Sequence, residues 1–471
     1  MAQGKGIKRR DFLKGVAATA AVAGVGPAFI TSKAHAQKTT LQIWHTESSD
    51  VSVKAVQKVC DRFEKLHPGV KVEQQGIGWA SIGAKLTTSI AAGTPPDICQ
   101  IQPQYFITFQ KRGYLVPLDD VYEALGIDNI FETVKKMAYL DGHRWGISHE
   151  VGCPVVLVRK DLAEKAGYKV PEGLTTPMFK TWDEQIEYLK AATNPKKRQW
   201  GMSLPGSGYF LQEHCGRWVG SNGGSFYDEN WNPVFYKDEF IDVLVFIKKL
   251  ADEKVVPPDW LSQSWLGMIA EICQGRTTLI DHGYGRIAAS IDKYAPGKGS
   301  EDYFYSVWRT PGPRGEKAVT DLDGELWCVF SQSKNHDLSK EWIKLFYEKD
   351  LYLNYISCYP VHMFPITKSL ANDPSYKALP ELKIWKRWIA QQEEYIKREQ
   401  ALPVGVYAPH EKNIPFIAEV FDSGIIVDEI MSVIQGRRKP KEAGERMTKR
   451  ANNLIKELGY QVPDPIRTKK A

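Results

Sequence analysis

The residues able to do chemistry in this chain are numerous but not grouped for catalysis. Ten histidines and seven cysteines are spread along 471 residues. No HExxH, HxH or CxxC spacing occurs, and no Cys-His group has the spacing of metal ligands. No GxGxxG opens a helix after a strand, and no GxSxG is present. A glycosidic pair of carboxylates would be invisible to sequence spacing. What does stand out is polar and aromatic side chains just after short apolar runs. Lys85 to Tyr105 reads KLTTSIAAGTPPDICQIQPQY. Leu86, Ile90 and Ala91 form one helical stripe, Gly93 ends it, and Pro95-Pro96 cannot continue it. Ile98 to Ile101 then reads as a buried strand, with Gln102, Gln104 and Tyr105 in a loop at its carboxyl end. Open α/β sheets bind ligands in the crevice beyond such strand ends. Amides and carboxylates fit ligand hydroxyls, and aromatic rings fit an apolar face.

The elements that must position these groups alternate. Leu41 to Trp44 is a first strand, followed by the polar turn His45 to Asp50. A helix follows to about Leu66, and Ser48, Ser49 or Asp50 can cap it. Pro68-Gly69 stops it, and Val70 to Glu73 is a second strand. Strands separated by helices pair in parallel, because the crossover demands it. Asp141-Gly142 marks a tight turn, and Val155 to Val158 a further strand. Pro177 to Ala192 reads as a helix centred on Trp182. Gly206 to Tyr209 and Gly220 to Gly224 read as loops, the second with Trp218 beside it as a possible cleft wall. Thr277 to Ile280 is a strand that delivers Asp281, His282, Gly283 and Tyr284. Trp79, after Gly76-Ile77-Gly78, is a further aromatic candidate, as is Trp265.

The N-terminus is an address. Lys8-Arg9-Arg10-Asp11-Phe12-Leu13-Lys14 is a twin-arginine sequence, Gly15 to Ile30 is apolar, and Ala34-His35-Ala36 is a small-x-small cleavage site. The mature chain is expected to begin at Gln37, in the periplasm, with no membrane span and no lipid anchor. Residues 1–36 carry six basic residues against one acid, so most of the formal charge of +6 leaves with them. Nucleic acid and anionic membrane surfaces are therefore not implied as partners. The cysteines are odd in number, and several sit in apolar runs. A disulfide framework is not expected, though a single bridge stays open.

From the first strand onward the motifs resemble the extracellular solute-binding proteins of ABC transporters, the group that includes maltose-binding proteins. The pieces fall in the same order: Trp44-His45, Ala92 to Ile98, Pro117-Leu118-Asp119, Asp141-Gly142 with Trp145-Gly146-Ile147, Thr181-Trp182-Asp183-Glu184, Gln274-Gly275-Arg276 and Ser333-Lys334-Asn335. The resemblance implies an α/β chain of two lobes, each a mostly parallel sheet flanked by helices, with the ligand cleft between them. It implies a signal over 1–36, a first lobe over 37–148 with a return at 315–366, and a second lobe over 149–314 and 367–471 with the C-terminal helices. It implies a monomer without cofactor or bound metal, which closes on a carbohydrate and delivers it to the permease subunits. A non-sugar ligand (polyamine, organic acid or sugar phosphate) and an exported enzyme are the alternatives. Carried over position by position, the resemblance points to His45, Glu47 and Ser48 after the first strand. It also points to Gln102, Gln104 and Tyr105, to Glu150 after the Gly146-Ile147-Ser148 turn, and to Tyr209 and Tyr284 as stacking aromatics. Trp79, Trp218 and Asp281 complete the expected lining, while His282 and Arg286 depart from the family's sugar site.

Overall fold

The computed structural model describes residues 39–461, apart from 207, 404, 409, 410, 412 and 413. The signal segment and its cleavage site after Ala36 lie outside the described residues. In chain order the strands of the two main sheets are β1 (Thr39–His45), β2 (Val70–Gly76), β3 (Ile98–Ile101), β4 (Ile147–Ser148), β5 (Val155–Arg159), β6 (Trp200–Ser203), β7 (Thr277–Gly283), β8 (Phe304–Val307) and β9 (Leu326–Val329). The first sheet has the order β2-β1-β3-β9-β4 and the second β8-β5-β7-β6.

Most strands of each sheet run the same way, as the alternation of elements predicts, with one reversed strand in each, β9 in the first and β5 in the second. β1 runs parallel to β2 and β3, because helices α1 (Asp50–Leu66) and α2 (Trp79–Ala91) carry the chain back between them. β9 runs antiparallel to β3 and β4, and β5 runs antiparallel to β7 and β8. The reason is where the chain changes sheets. β3, β4 and β7 end at the cleft, whereas β5 and β9 begin there, so Leu326 pairs with Ile101 and Val155 with Gly283. Strands that leave the cleft must oppose strands that reach it.

The central strands of each sheet are buried on both faces, whereas β2 at the edge of the first is largely exposed. In β3, Ile98 joins one apolar core while Cys99 and Ile101 join the other. Val155 and Leu157 of β5 likewise face away from Val156 and Val158, as the two-residue period of a strand requires. Helices cover both faces. Ser49 caps α1 by accepting from the Ser52 amide, and Ala55, Val56, Val59, Cys60 and Phe63 form its buried stripe. All seven cysteines are free thiols, and every one but Cys358 is buried.

Three local expectations change. Gln104 and Tyr105 lie not on a loop but in helix α3 (Pro103–Lys111), whose first residue is a proline with φ already suited to a helix. The segment before Trp182 is not helical. Helix α4 (Trp182–Ala192) starts only where Thr181 accepts a hydrogen bond from the Glu184 amide. Tyr209 and Trp218 belong to one helix, α5 (Gly208–Ser221).

Candidate functional site

A cavity of about 50 Å³ lies where the two sheets face each other at their strand ends. From the first sheet's side it receives Trp79 at the start of α2, Gln102 and Pro103 at the β3–α3 junction, and Glu325 just before β9. From the second it receives Tyr209, Phe210 and Glu213 of α5, Trp265 at the start of helix α6 (Trp265–Gln274), and His282, Tyr284 and Arg286 at and beyond the end of β7. The segments that join the sheets add Asp323 and His362.

One hydrogen bond ties opposite walls together and another braces the first sheet's wall. Gln102 Nε2 donates to the Tyr209 hydroxyl at 2.9 Å, and Trp79 Nε1 donates to Glu325 Oε1 at 2.5 Å. Trp79 and Trp265 meet edge to face with ring centroids 6.3 Å apart. Tyr284 is held between the imidazoles of His282 and His362 by edge contacts. Arg286 lies over the rings of Trp79 and Tyr359, and its guanidinium grips Glu47 with two bonds of 3.0 and 3.2 Å. Tyr355 donates its hydroxyl to the same carboxylate at 2.5 Å. Burial alone would push the Glu47 carboxyl up, but Arg286 outweighs it and brings the pKa down to about 2.

The remaining acids of the site divide into two kinds. Glu150 is fully buried, yet the His362 and His149 imidazoles at 3.3 and 3.4 Å hold it well below the usual carboxylate range. Glu213 and Asp323 go the other way. Burial and neighbouring carboxylates, Asp321 for the first and Glu325 and Glu150 for the second, raise both well above the ordinary value. Burial thus biases both towards the protonated form, in which a carboxyl can donate a hydrogen bond. Burial together with the Arg217 charge keeps His214 and His282 neutral. The cavity therefore offers donors and acceptors on rigid elements, between aromatic planes contributed by both sheets.

Of the residues singled out from sequence, Trp79, Gln102, Tyr209, Trp265 and Tyr284 line the cavity. Glu47 and Glu150 lie directly behind its wall, against Arg286 and His362. The others are placed elsewhere. His45 bonds Gln74 at 2.6 Å, and Ser48 is exposed. Gln104 is buried beside Gly405, and Tyr105 donates to Asp422 at 2.7 Å. Trp218 and Asp281 satisfy each other at 2.6 Å, with Arg309 completing the Asp281 carboxylate. Phe210, Glu213, Asp323, Glu325 and His362 were not singled out. Glu213 falls one helical turn after Tyr209, a signal readable once the segment is taken as a helix. Asp323-Gly324-Glu325 sits just before a strand that starts at the cleft. His362 has no local signal.

Residues 58–384 match the model of a family described as bacterial extracellular solute-binding protein. The chain belongs to that family. Residues 6–26 match the twin-arginine translocation signal, so this is an exported, periplasmic solute-binding protein. Among the described residues no helix is long and apolar enough to cross a membrane. The chain is 29% identical to a putative binding protein of Brucella abortus over 62% of its own length and 68% of the relative's. It is 25% identical to the diacetylchitobiose binding protein DasA of Streptomyces coelicolor, over 65% of this chain and 68% of that one. In fold it matches an ABC transporter solute-binding protein from Agrobacterium vitis crystallised with D-mannitol. The TM-score is 0.71 at 22% identity, covering 90% of this chain and all of the other. That likeness places the two-lobed binding-protein architecture on this chain.

Proposed function

We propose that this protein is the substrate-binding component of an ABC importer for a carbohydrate or sugar alcohol, which it holds in the cavity and passes to the membrane permease. The observation that carries this reading is the pairing of surfaces across the cleft. Trp79 stands on one side and Tyr209, Phe210, Trp265 and Tyr284 on the other, with Gln102, Glu213, Asp323, Glu325 and His362 spaced among them. Sugar and polyol chains present alternating hydroxyls and an apolar face, and such a wall satisfies both. Relatives described as binding diacetylchitobiose or crystallised with D-mannitol support the same class of ligand. Two sheets meeting at a ligand cavity support capture by closure, by a monomer that leaves its ligand unchanged.

A thermal-shift screen of sugars, polyols, amines and sugar phosphates tests this, because a ligand bound only by the folded state raises Tm by mass action. Stabilisation by sugars or polyols alone is the expected outcome. Turnover of the stabilising compound would replace the transport reading by an enzymatic one. The carboxyl groups of Glu213, Asp323 and Glu325 in one cavity favour a second reading, an amine-bearing solute, which the amine arm of the screen separates.

A further inference from the structure

We propose that His149, Glu150 and Glu325 form a binding site for one divalent transition-metal cation, of the zinc type, at the floor of the ligand cavity. The inference stands on the side chains alone, whichever solute is carried.

The three groups offer one ligand atom each within 4.8 Å of one another, and all three residues are buried. His149 is the informative member. Its Nδ1 lies 2.9 Å from the backbone carbonyl of Glu325, which can only accept, so Nδ1 carries the hydrogen. Nε2 is then the nitrogen left to face the carboxylates, carrying either a proton or a metal ion. It lies 3.4 Å from Glu150 Oε1 and 3.7 Å from Glu325 Oε2. Neither His149 Nε2 nor either oxygen of Glu150 makes a hydrogen bond, although both residues have no exposed surface. Buried charges are normally paired or coordinate metals, and a divalent cation can take the place of the proton between this nitrogen and the two carboxylates.

The spacing suits such an ion. Zinc ligand distances of about 2.0–2.2 Å place the corners of a tetrahedron about 3.3–3.6 Å apart, close to the contacts found. One imidazole and two carboxylates suit zinc better than the all-oxygen preference of calcium or magnesium. The outer shell is built as well. The Glu325 carbonyl orients His149, and Trp79 Nε1 holds Glu325 Oε1 so that Oε2 is the atom facing His149.

The neighbouring charges leave room for this assignment. Arg286 comes within 3.9 Å of Glu150 but is engaged by Glu47. His362 contacts Glu150 at 3.3 Å and Asp323 at 3.2 Å, forming a second, adjacent triad that shares Glu150. Its other ring nitrogen has no oriented partner, so it lacks the anchoring that His149 has. Of the three groups, Glu325 also lines the cavity.

The test uses tag-free mature protein stripped with EDTA and dialysed, then titrated with zinc chloride by calorimetry. One saturable zinc per chain is expected, together with a rise in Tm. His149→Gln and Glu150→Gln should each weaken zinc at least tenfold, while His362→Gln should stay within about threefold of the wild type. Cobalt(II) in the wild-type protein should give the intense visible bands of a tetrahedral site, a readout that needs no variant to fold. No saturable zinc, or an octahedral cobalt spectrum, overturns the site. Loss of zinc in His362→Gln with retention in His149→Gln overturns the choice of ligands.

Discussion

Replacing Glu47 by Gln tests whether the cavity wall is held by the buried pair with Arg286. Both side chains are almost fully buried, and two direct bonds join them. The Glu47 pKa stands at about 2 against an ordinary 4.5, and at about 1.4 kcal/mol per unit this corresponds to about 3 kcal/mol. The folded-state value is depressed, so this stabilisation is complete above pH 4.5 and is lost as the pH falls towards 2. Glutamine does not titrate there. The wild type should therefore exceed Glu47→Gln by about 3–5 kcal/mol at pH 7, because the variant leaves a buried guanidinium unpaired. The gap should narrow by about 3 kcal/mol between pH 6 and pH 2. Glu47→Gln/Arg286→Met should recover part of the loss at pH 7, since it removes the stranded charge. Urea unfolding followed by tryptophan fluorescence and circular dichroism at stepped pH gives all three numbers. A gap that does not change with pH would refute the argument that Arg286 holds the carboxylate.

Other consequences are separable by assay. Tyr284→Ala should weaken the stabilising sugar or polyol about tenfold in calorimetry on the folded protein, since the ring lines the cavity, and should lower Tm as well, since the ring is packed between His282 and His362. Trp218→Ala should act on stability alone. The residue is 1% exposed and bonded to Asp281, so unfolding should cost about 3–5 kcal/mol less while the folded fraction binds normally. Gly216→Ala should destabilise by about 1–3 kcal/mol in urea, because the new methyl meets the Tyr407 ring inside the core. Thr181→Ala should cost about 1 kcal/mol by removing the cap of α4, measurable as a drop in Tm.

The amino-acid sequence by itself determined the local elements and their order. The stop at Gly93 and the following prolines, the capped start of α1 and the turn at Asp141-Gly142 depend on residues next to one another. Both turn residues take positive φ, as the Asp-Gly pair predicts. The twin-arginine segment and the ordered motifs of the binding-protein family are likewise written along the chain. Strand direction was not. Whether β9 runs with or against β3 depends on which end of the sheet the chain re-enters, and no residue of β9 encodes that alone. The site was legible only in part for the same reason. Trp79, Gln102, Tyr209 and Tyr284 follow strand ends or open helices and can be found by position. Trp218 and Asp281 have the same appearance in sequence, yet they are spent on each other. Glu150, Glu325 and His362 come from three separate stretches. They meet because the chain crosses between the sheets at the cleft, so every crossing delivers its side chains to one place. That convergence belongs to long-range packing, which brings together residues with no local signal of each other.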